Sequence, residues 1–498
     1  MELKDFVPSK VELHGCSPLP ASTLAQQLLS TGSLATAPGD FILVLSGTFR
    51  VNGPETSGKV VASSALNAFP FFYSQSGNEL ILGKNVSEIA PSISPTTGWS
   101  WNRRALASLL AFGHPTGTDT LHADIKRLPP ASVLRHTAGQ TTITRYATTV
   151  NPSEFILAEV LEEQDAVLKQ HLLLAGKRPA LALTAGMDSR LLIAAALHFG
   201  VKPVTFTFGS SKAADVEVAR AVSRDFFLEH RHIELSAEDL LSSRTLQLLS
   251  GTAGGLITMD QLAHAAFVQK AGLEEFSSYI SALNADCVRF QYEENGFLAG
   301  LGRLRGSRYL TEQQIIKNRS GFPPALAKKL SDGVSEWVKS IEAHDKDQPL
   351  GGLAHYHLMD KVRQEYGNLL GLYERHTKVV SPFTDRRYAD LVYRLPVGMK
   401  KKSLFHRLLI RYFFPGLMDY PVNGQELHVG DQSGGWRSNG GSGGGWMPDL
   451  FSHPRLRELV MDSRELDEWC RKEDREQMLK RRSVHGVNWM LTVAGRRG

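Results

Sequence analysis

Hydrophobic and polar positions divide this chain into two stretches that read differently. Over residues 1–150 short apolar or alternating runs recur: Phe41-Ile42-Leu43-Val44-Leu45, Val60-Val61-Ala62, Phe71-Phe72-Tyr73 and Leu80-Ile81-Leu82. Turn formers such as Ser76-Gly77-Asn78 separate them. This spacing predicts antiparallel strands in a sandwich or meander, with one helix over 103–112. From about 151 the pattern changes to helices alternating with short strands. Helices are expected over 154–174, 191–199 and 215–227, and strands over 181–184, 203–208 and 232–235. Units of that length predict a parallel sheet covered on both faces, with ligands at the carboxyl ends of its strands.

The predicted class is therefore α/β: a β-rich N-terminal domain over 1–150, then a parallel-sheet domain over 151–498 with a helical tail. Residues 425–446 are glycine-rich and have the composition of a flexible segment, either a lid or a plain connection. The tail over 454–493 is amphipathic, with Arg455, Arg457, Glu458 and Glu465 outward and Leu456, Leu459, Val460 and Leu466 inward.

Charge and cysteine content narrow the partners. The 56 Lys and Arg against 51 Asp and Glu leave only +5, too little to argue for nucleic acid. Three separated cysteines, Cys16, Cys287 and Cys470, exclude a disulfide scaffold and a zinc knuckle and suit a reducing compartment. No apolar run approaches the roughly 20 residues of a membrane span, and the first residues lack a signal core. A cytoplasmic protein with no integral membrane segment is expected.

The candidate chemistry begins at Leu181-Ala182-Leu183-Thr184-Ala185-Gly186-Met187-Asp188-Ser189-Arg190. A buried strand breaks there into a small-residue turn and then a helix, which delivers backbone N–H groups and a positive helix end to one point. Asp188 and Ser189 fall where the helix would be capped, and the Asp188 carboxylate is also suited to Mg2+ against a phosphate. An ordinary capped turn is the plain alternative. It is not a Walker loop, because no Gly-Lys-Ser/Thr follows.

The run resembles the Ser-Gly-Gly-x-Asp-Ser pyrophosphate loop of the asparagine synthetase family, with Thr184 and Ala185 in place of Ser and Gly. Tyr279-Ile280-Ser281-Ala282-Leu283-Asn284-Ala285-Asp286-Cys287 is similar to that family's Ser-Gly-x-Gly-Ala-Asp-Glu segment. There Ala282 and Asn284 stand for glycines and Cys287 for the glutamate. Ser381-Pro382-Phe383-Thr384-Asp385 with the helix over 404–413 resembles a third family segment. Gly39-Asp40-Phe41, Phe71-Phe72-Tyr73, residues 77–89 and the run from Thr120 to Pro130 look like the later part of the family's glutaminase-type domain and its exit.

That resemblance implies an ATP-dependent ligase using ATP and Mg2+. It implies that Thr184, Ala185, Gly186, Met187, Asp188 and Ser189 hold the pyrophosphate and that Asp188 and Asp286 are the metal ligands. The strand Phe206-Thr207-Phe208 would line the adenine pocket. The family's glutamate before the third segment falls on Lys378 here, which leaves Glu374 as the substitute carboxylate, with Tyr366, Glu365 and Tyr373 as further proton-transfer candidates. The family's downstream lysine falls on Asn423, which leaves Lys400, Lys401 or Lys402. Glu374, Tyr366 and Lys402 are the candidate catalytic residues.

The glutaminase-like domain looks truncated: residue 2 is Glu, not the family's Cys, and Cys16 is internal, without an α-amine beside it as base. Glutamine hydrolysis is not expected. Within the family, members lacking that nucleophile include lasso-peptide cyclases and β-lactam synthetases. The first expectation is a macrolactam-forming lasso-peptide cyclase, with a peptide substrate and a leader-peptidase partner. A ligase acting on another peptide or small-molecule carboxylate, and a non-catalytic nucleotide-binding homologue, are the alternatives.

Overall fold

The computed structural model describes residues 3–49, 56–93, 99–146, 155–211, 213–289, 334, 338–339, 351–422 and 449–495. The glycine-rich 425–446 segment and Asn423 lie outside them. A first sheet runs β1 (Phe6–Cys16), β2 (Asp40–Phe49), β3 (Thr56–Ser63), β7 (Ser132–Thr137), β8 (Gln140–Arg145), every neighbour antiparallel. A second small sheet joins β4 (Phe72–Ser76) to β5 (Glu79–Gly83) and β6 (Lys126–Arg127).

The unbroken apolar run in β2 follows from burial on both faces. Phe41, Leu43 and Leu45 pack with Leu24 and Leu28 of the helix Ala21–Thr31. Ile42 and Val44 face the other way, into the large core shared with the rest of the chain. The expected helix lies at Arg103–Phe112, capped by Asn102.

The second half holds the expected parallel sheet, in the order β11 (His230–Ile233), β10 (Val204–Phe208), β9 (Ala180–Ala182), β12 (Tyr279–Ile280), β13 (Val379–Val380). Helices Leu157–Leu173, Met187–His198 and Ala214–Asp225 follow the predicted pattern. The strand expected at 181–184 ends two residues early, because Leu183 and Thr184 already turn into the loop. Helices Pro454–Met461, Lys472–Lys480 and Val484–Ala494 make the tail, and Leu456, Leu459, Val460 and Leu466 point inward as expected. The chain is a mixed α/β protein: antiparallel sheet first, parallel sheet later, helices at the end.

The two sheets are joined by close packing. At Gly367 a Cβ would lie 2.1 Å from the Ala68 carbonyl, so no side chain fits where this helix crosses the first half. The buried Arg127 donates to Ala68 O at 2.6 Å, and the buried Arg363 donates to Leu128 O at 2.8 Å. The Arg363 bond ties the π-helical segment His357–Tyr366 to the first half. Among the described residues no helix is long and apolar enough to cross a membrane.

Candidate nucleotide and acyl-transfer site

Strand order reverses beside β9: the chain builds outward through β10 and β11 on one side, then returns to β12 and β13 on the other. In an open parallel sheet that reversal opens a crevice at the carboxyl ends of the two central strands. Asp188 follows β9 and Asp286 follows β12, so the two acids come from the loops that flank it.

The β9 loop is braced from within. Leu183 O accepts from Thr207 Oγ1 at 2.6 Å, and the Thr184 N–H donates to Ser189 Oγ at 3.1 Å. The Gly186 N–H donates to Thr184 Oγ1 at 3.1 Å, and the Ala185 N–H donates to Asp215 Oδ1 at 2.8 Å. Two expectations change accordingly. The helix cap is Gly186, not Asp188 or Ser189, which lie in the first helical turn with the buried Met187. The hydroxyls of Thr184 and Ser189 hold the loop together, so the donors left for a phosphate are the first-turn N–H groups, which have no partner inside a helix.

Asp188 is half-buried. Its Oδ2 is ion-paired with Arg289 Nη2, and its Oδ1 lies 3.1 Å from Nε2 of the fully buried His406. On the facing loop Asn284 takes φ +72°, a left-handed turn that asparagine tolerates better than most residues, which explains how the loop closes without glycine. Asn284 Nδ2 donates to Phe383 O at 2.6 Å. Asp286 then accepts from Tyr366 Oη at 2.9 Å, and His357 Nε2 stands 3.9 Å away.

Burial works to raise the Asp286 pKa, yet His357, Lys361, Arg289 and the Tyr366 hydroxyl together hold it below its ordinary value. Burial lowers His357 to about 4, so near neutral pH the positive field comes from Lys361 and Arg289. Cys287 is buried with its thiol pushed well up by desolvation, so it replaces the expected glutamate with an uncharged group.

The candidate residues separate. Tyr366 bonds Asp286, and both acids act on Arg289; Glu374 and Lys402 have other surroundings. Glu374 pairs with Lys84, the residue after β5, at 3.3 Å. Lys402 is exposed, at φ +48°, with no ion pair among the described residues. Lys378 donates to Leu174 O at 3.0 Å, and Tyr373 Oη meets His264 Nδ1 at 2.7 Å and stacks on Tyr279. Phe206 is fully buried against Phe267 and Phe276, and Thr207 is buried on Leu183. Phe208, at the carboxyl end of the strand, is half-buried and packs on His264 and Phe267.

Sequence reasoning missed Arg289, His406, His357 and Lys361 as neighbours of the two acids. His406 had a signal: it falls among Phe405, Leu409, Ile410 and Phe413 on the buried face of the helix Leu404–Phe413. Arg190, also missed, donates from the same helix as Asp188 to Tyr420 O at 2.7 Å and to the Leu417, Pro421 and Ala185 carbonyls. It ties the loop to the segment where the family's lysine was sought.

The two carboxylates are hard oxygen donors of the kind Mg2+ takes, and that ion commonly uses one or two carboxylates with substrate phosphates and water. Among the described residues no group of three or more His, Cys, Asp and Glu is placed to hold a metal alone.

A Glu374→Gln change is expected to alter stability by less than about 1 kcal/mol, as for a partly exposed pair, and to leave nucleotide affinity unchanged. Thermal unfolding and ATP titration of the variant check both.

No family model matches the chain, and no curated protein matches its sequence. Among solved structures it is similar to the glutamine-dependent NAD+ synthetase from Acinetobacter baumannii in complex with adenosine diphosphate. That match has 13% identity and a TM-score of 0.20, over 53% of this chain and 64% of that one. The chain thus spans less than two thirds of that synthetase, and overlap at this level does not bear on activity.

Proposed function

We propose that this chain is an ATP-dependent ligase that activates a carboxylate and joins it to an amine. The observation that carries the reading is that Asp188 and Asp286 come from the two loops at the strand-order reversal and both act on Arg289, with one acid in the first turn of a helix. The first-turn N–H groups of Met187–His198 would take the departing pyrophosphate. Asp188 and Asp286 would hold Mg2+, which when bound neutralises charge building on the phosphates.

The substrate carboxylate attacks the α-phosphate, releasing pyrophosphate and leaving an acyl-adenylate; an amine then displaces AMP. Tyr366 is the group nearest to the Asp286 carboxylate that can hold or pass a proton. Lys361 and Arg289 supply positive charge beside it.

The amine is the finer part of the proposal. All three cysteines are buried, and the Cys16 thiol faces His171 at 3.5 Å, which favours a donor other than glutamine. We take the amine to lie on the substrate itself, a peptide whose α-amine closes on an Asp or Glu side chain. Binding one molecule then supplies both reactants at high effective concentration.

With Mg2+ and ATP, a precursor core peptide freed of its leader is expected to lose the mass of one water without added ammonium, and not to react once its α-amine is acetylated. Mass spectrometry reads this directly. Product formed only with ammonium, and carrying its nitrogen, would replace cyclisation with an asparagine-synthetase-like reaction. Absence of any ATP–pyrophosphate exchange across a panel of carboxylates would leave a nucleotide-binding homologue.

A further inference from the structure

We propose that Arg289 is the resident counter-cation of the Asp188–Asp286 pair and exchanges these carboxylates for nucleotide phosphate when magnesium nucleotide enters. The inference deepens the ligase reading and rests on it for the identity of the incoming anion.

A carboxylate in a half-buried crevice loses hydration, so the nucleotide-free state needs a cation beside it. Arg289 is that cation. Its Nη2 is ion-paired with Asp188 Oδ2, while its backbone N–H donates to the backbone carbonyl of Asp286 at 2.9 Å and holds the arginine on the same turn as that acid. The turn Ala285–Val288 carries Asp286, and Arg289 is the residue that ends it, so acid and arginine share one short piece of chain. The other groups facing the two carboxylates have been named: His406 faces Asp188, while His357 and Lys361 face Asp286. Of these only Arg289 is coupled to both acids, whose charges favour its protonated form against the cost of burial.

The fork is only partly used. Arg289 Nε is buried and has no hydrogen-bond partner among the described residues, although guanidinium offers five donors. A guanidinium cannot release its proton in this pH range, so it yields the carboxylates to a divalent ion only by moving off them. A phosphate is the anion that suits it once moved, because two parallel N–H donors match two phosphate oxygens. Without nucleotide Arg289 occupies the Asp188 carboxylate, so free divalent ion is excluded, and metal and nucleotide bind together.

Mn2+ is a suitable probe, titrated into the nucleotide-free full-length chain and followed by electron paramagnetic resonance, with ATP affinity measured separately in Mg2+. Arg289→Gln is expected to bind Mn2+ alone at least about tenfold more tightly than the unaltered chain and to bind ATP about tenfold more weakly. Adding Asp188→Asn to that variant should remove the gained Mn2+ site. Unchanged Mn2+ affinity in Arg289→Gln, or a gained site that survives Asp188→Asn, would overturn the proposal. If Arg289→Gln does not fold, Arg289→Lys takes its place: it keeps the charge, so Mn2+ affinity stays as in the unaltered chain, while loss of the fork weakens ATP binding. An Arg289→Lys chain that binds ATP as tightly as the original counts against the exchange. Failure of the unaltered chain to bind ATP at all defeats the ligase reading instead, and the Mn2+ titrations still decide the arginine's role.

Discussion

An Asp188→Asn variant is expected to fold normally and to lose ATP–pyrophosphate exchange by a factor on the order of a hundred or more. Asparagine keeps the shape of the side chain and its place in the first turn of the helix Met187–His198, so packing of the buried helix face is unchanged. What goes is one negative charge. Arg289 and His406 lose their shared partner, and a nucleotide-borne Mg2+ loses one of two carboxylates. Asp286→Asn should do the same from the facing loop. The double variant should be little worse than either single one, since two ligands of one ion act as a unit and their losses do not add. Circular dichroism checks the fold and labelled pyrophosphate incorporation checks the chemistry. Exchange at the unaltered rate in Asp188→Asn would remove both carboxylates from the metal site.

Asp188 and Asp286 could be found in the sequence because each lies within a few residues of its strand. The turn into a small-residue loop is visible from local pattern alone, and so was the helix Leu404–Phe413. The neighbours of those acids were not legible for a geometric reason. Arg289 meets Asp188 from 101 positions away and His406 meets it from a separate helix, and only the reversed strand order brings these segments to one crevice.

The carboxylate sought at Glu374 failed on distance along an element. Tyr366 faces Asp286, and Glu374, eight residues further along helical chain, is carried roughly 12 Å onward at 1.5 Å per residue, to Lys84. The strand β1 showed no clear alternation either, because most of its residues are partly exposed and a bulge interrupts it between Pro8 and Lys10. Local periodicity reports which face of an element is buried. It does not report which two loops will meet.

The second large effect is expected at Asp385, which the sequence marked only as part of a third family segment. The structure makes it the centre of a buried junction between the two halves. Asp385 Oδ2 takes His171 Nε2 at 3.0 Å, Arg387 Nη2 at 2.8 Å and the Gly39 N–H at 2.8 Å, while His171 Nδ1 faces Cys16 Sγ at 3.5 Å. The order thiol, imidazole, carboxylate matches a nucleophile with its base and orienter. All three side chains are buried, however, so the group acts as a structural link.

Burial alone would lower the His171 pKa, but its bonds to Asp385 and Cys16 raise it to about 9. Burial alone would raise Asp385, but His171 and Arg387 hold it well below its ordinary value. A raised histidine adds stability that is complete below about 6.5 and lost as pH climbs through about 9. A depressed carboxylate adds stability that is complete above its ordinary value of about 4 and lost in acid. The junction is therefore strongest from about pH 4 to about pH 6.5, and the unaltered chain should unfold more readily at pH 9.5 than at pH 6.

Asp385→Ala leaves the buried His171 and the half-buried Arg387 without their partner and is expected to cost about 3–5 kcal/mol. His171→Gln leaves Asp385 still paired with Arg387, so it should cost less, about 1–3 kcal/mol, and should flatten the loss of stability between pH 6 and pH 9.5. Thermal unfolding at both pH values, on all three chains, reads these effects. A His171→Gln chain that keeps the unaltered pH dependence would show that the imidazole at this junction is uncharged.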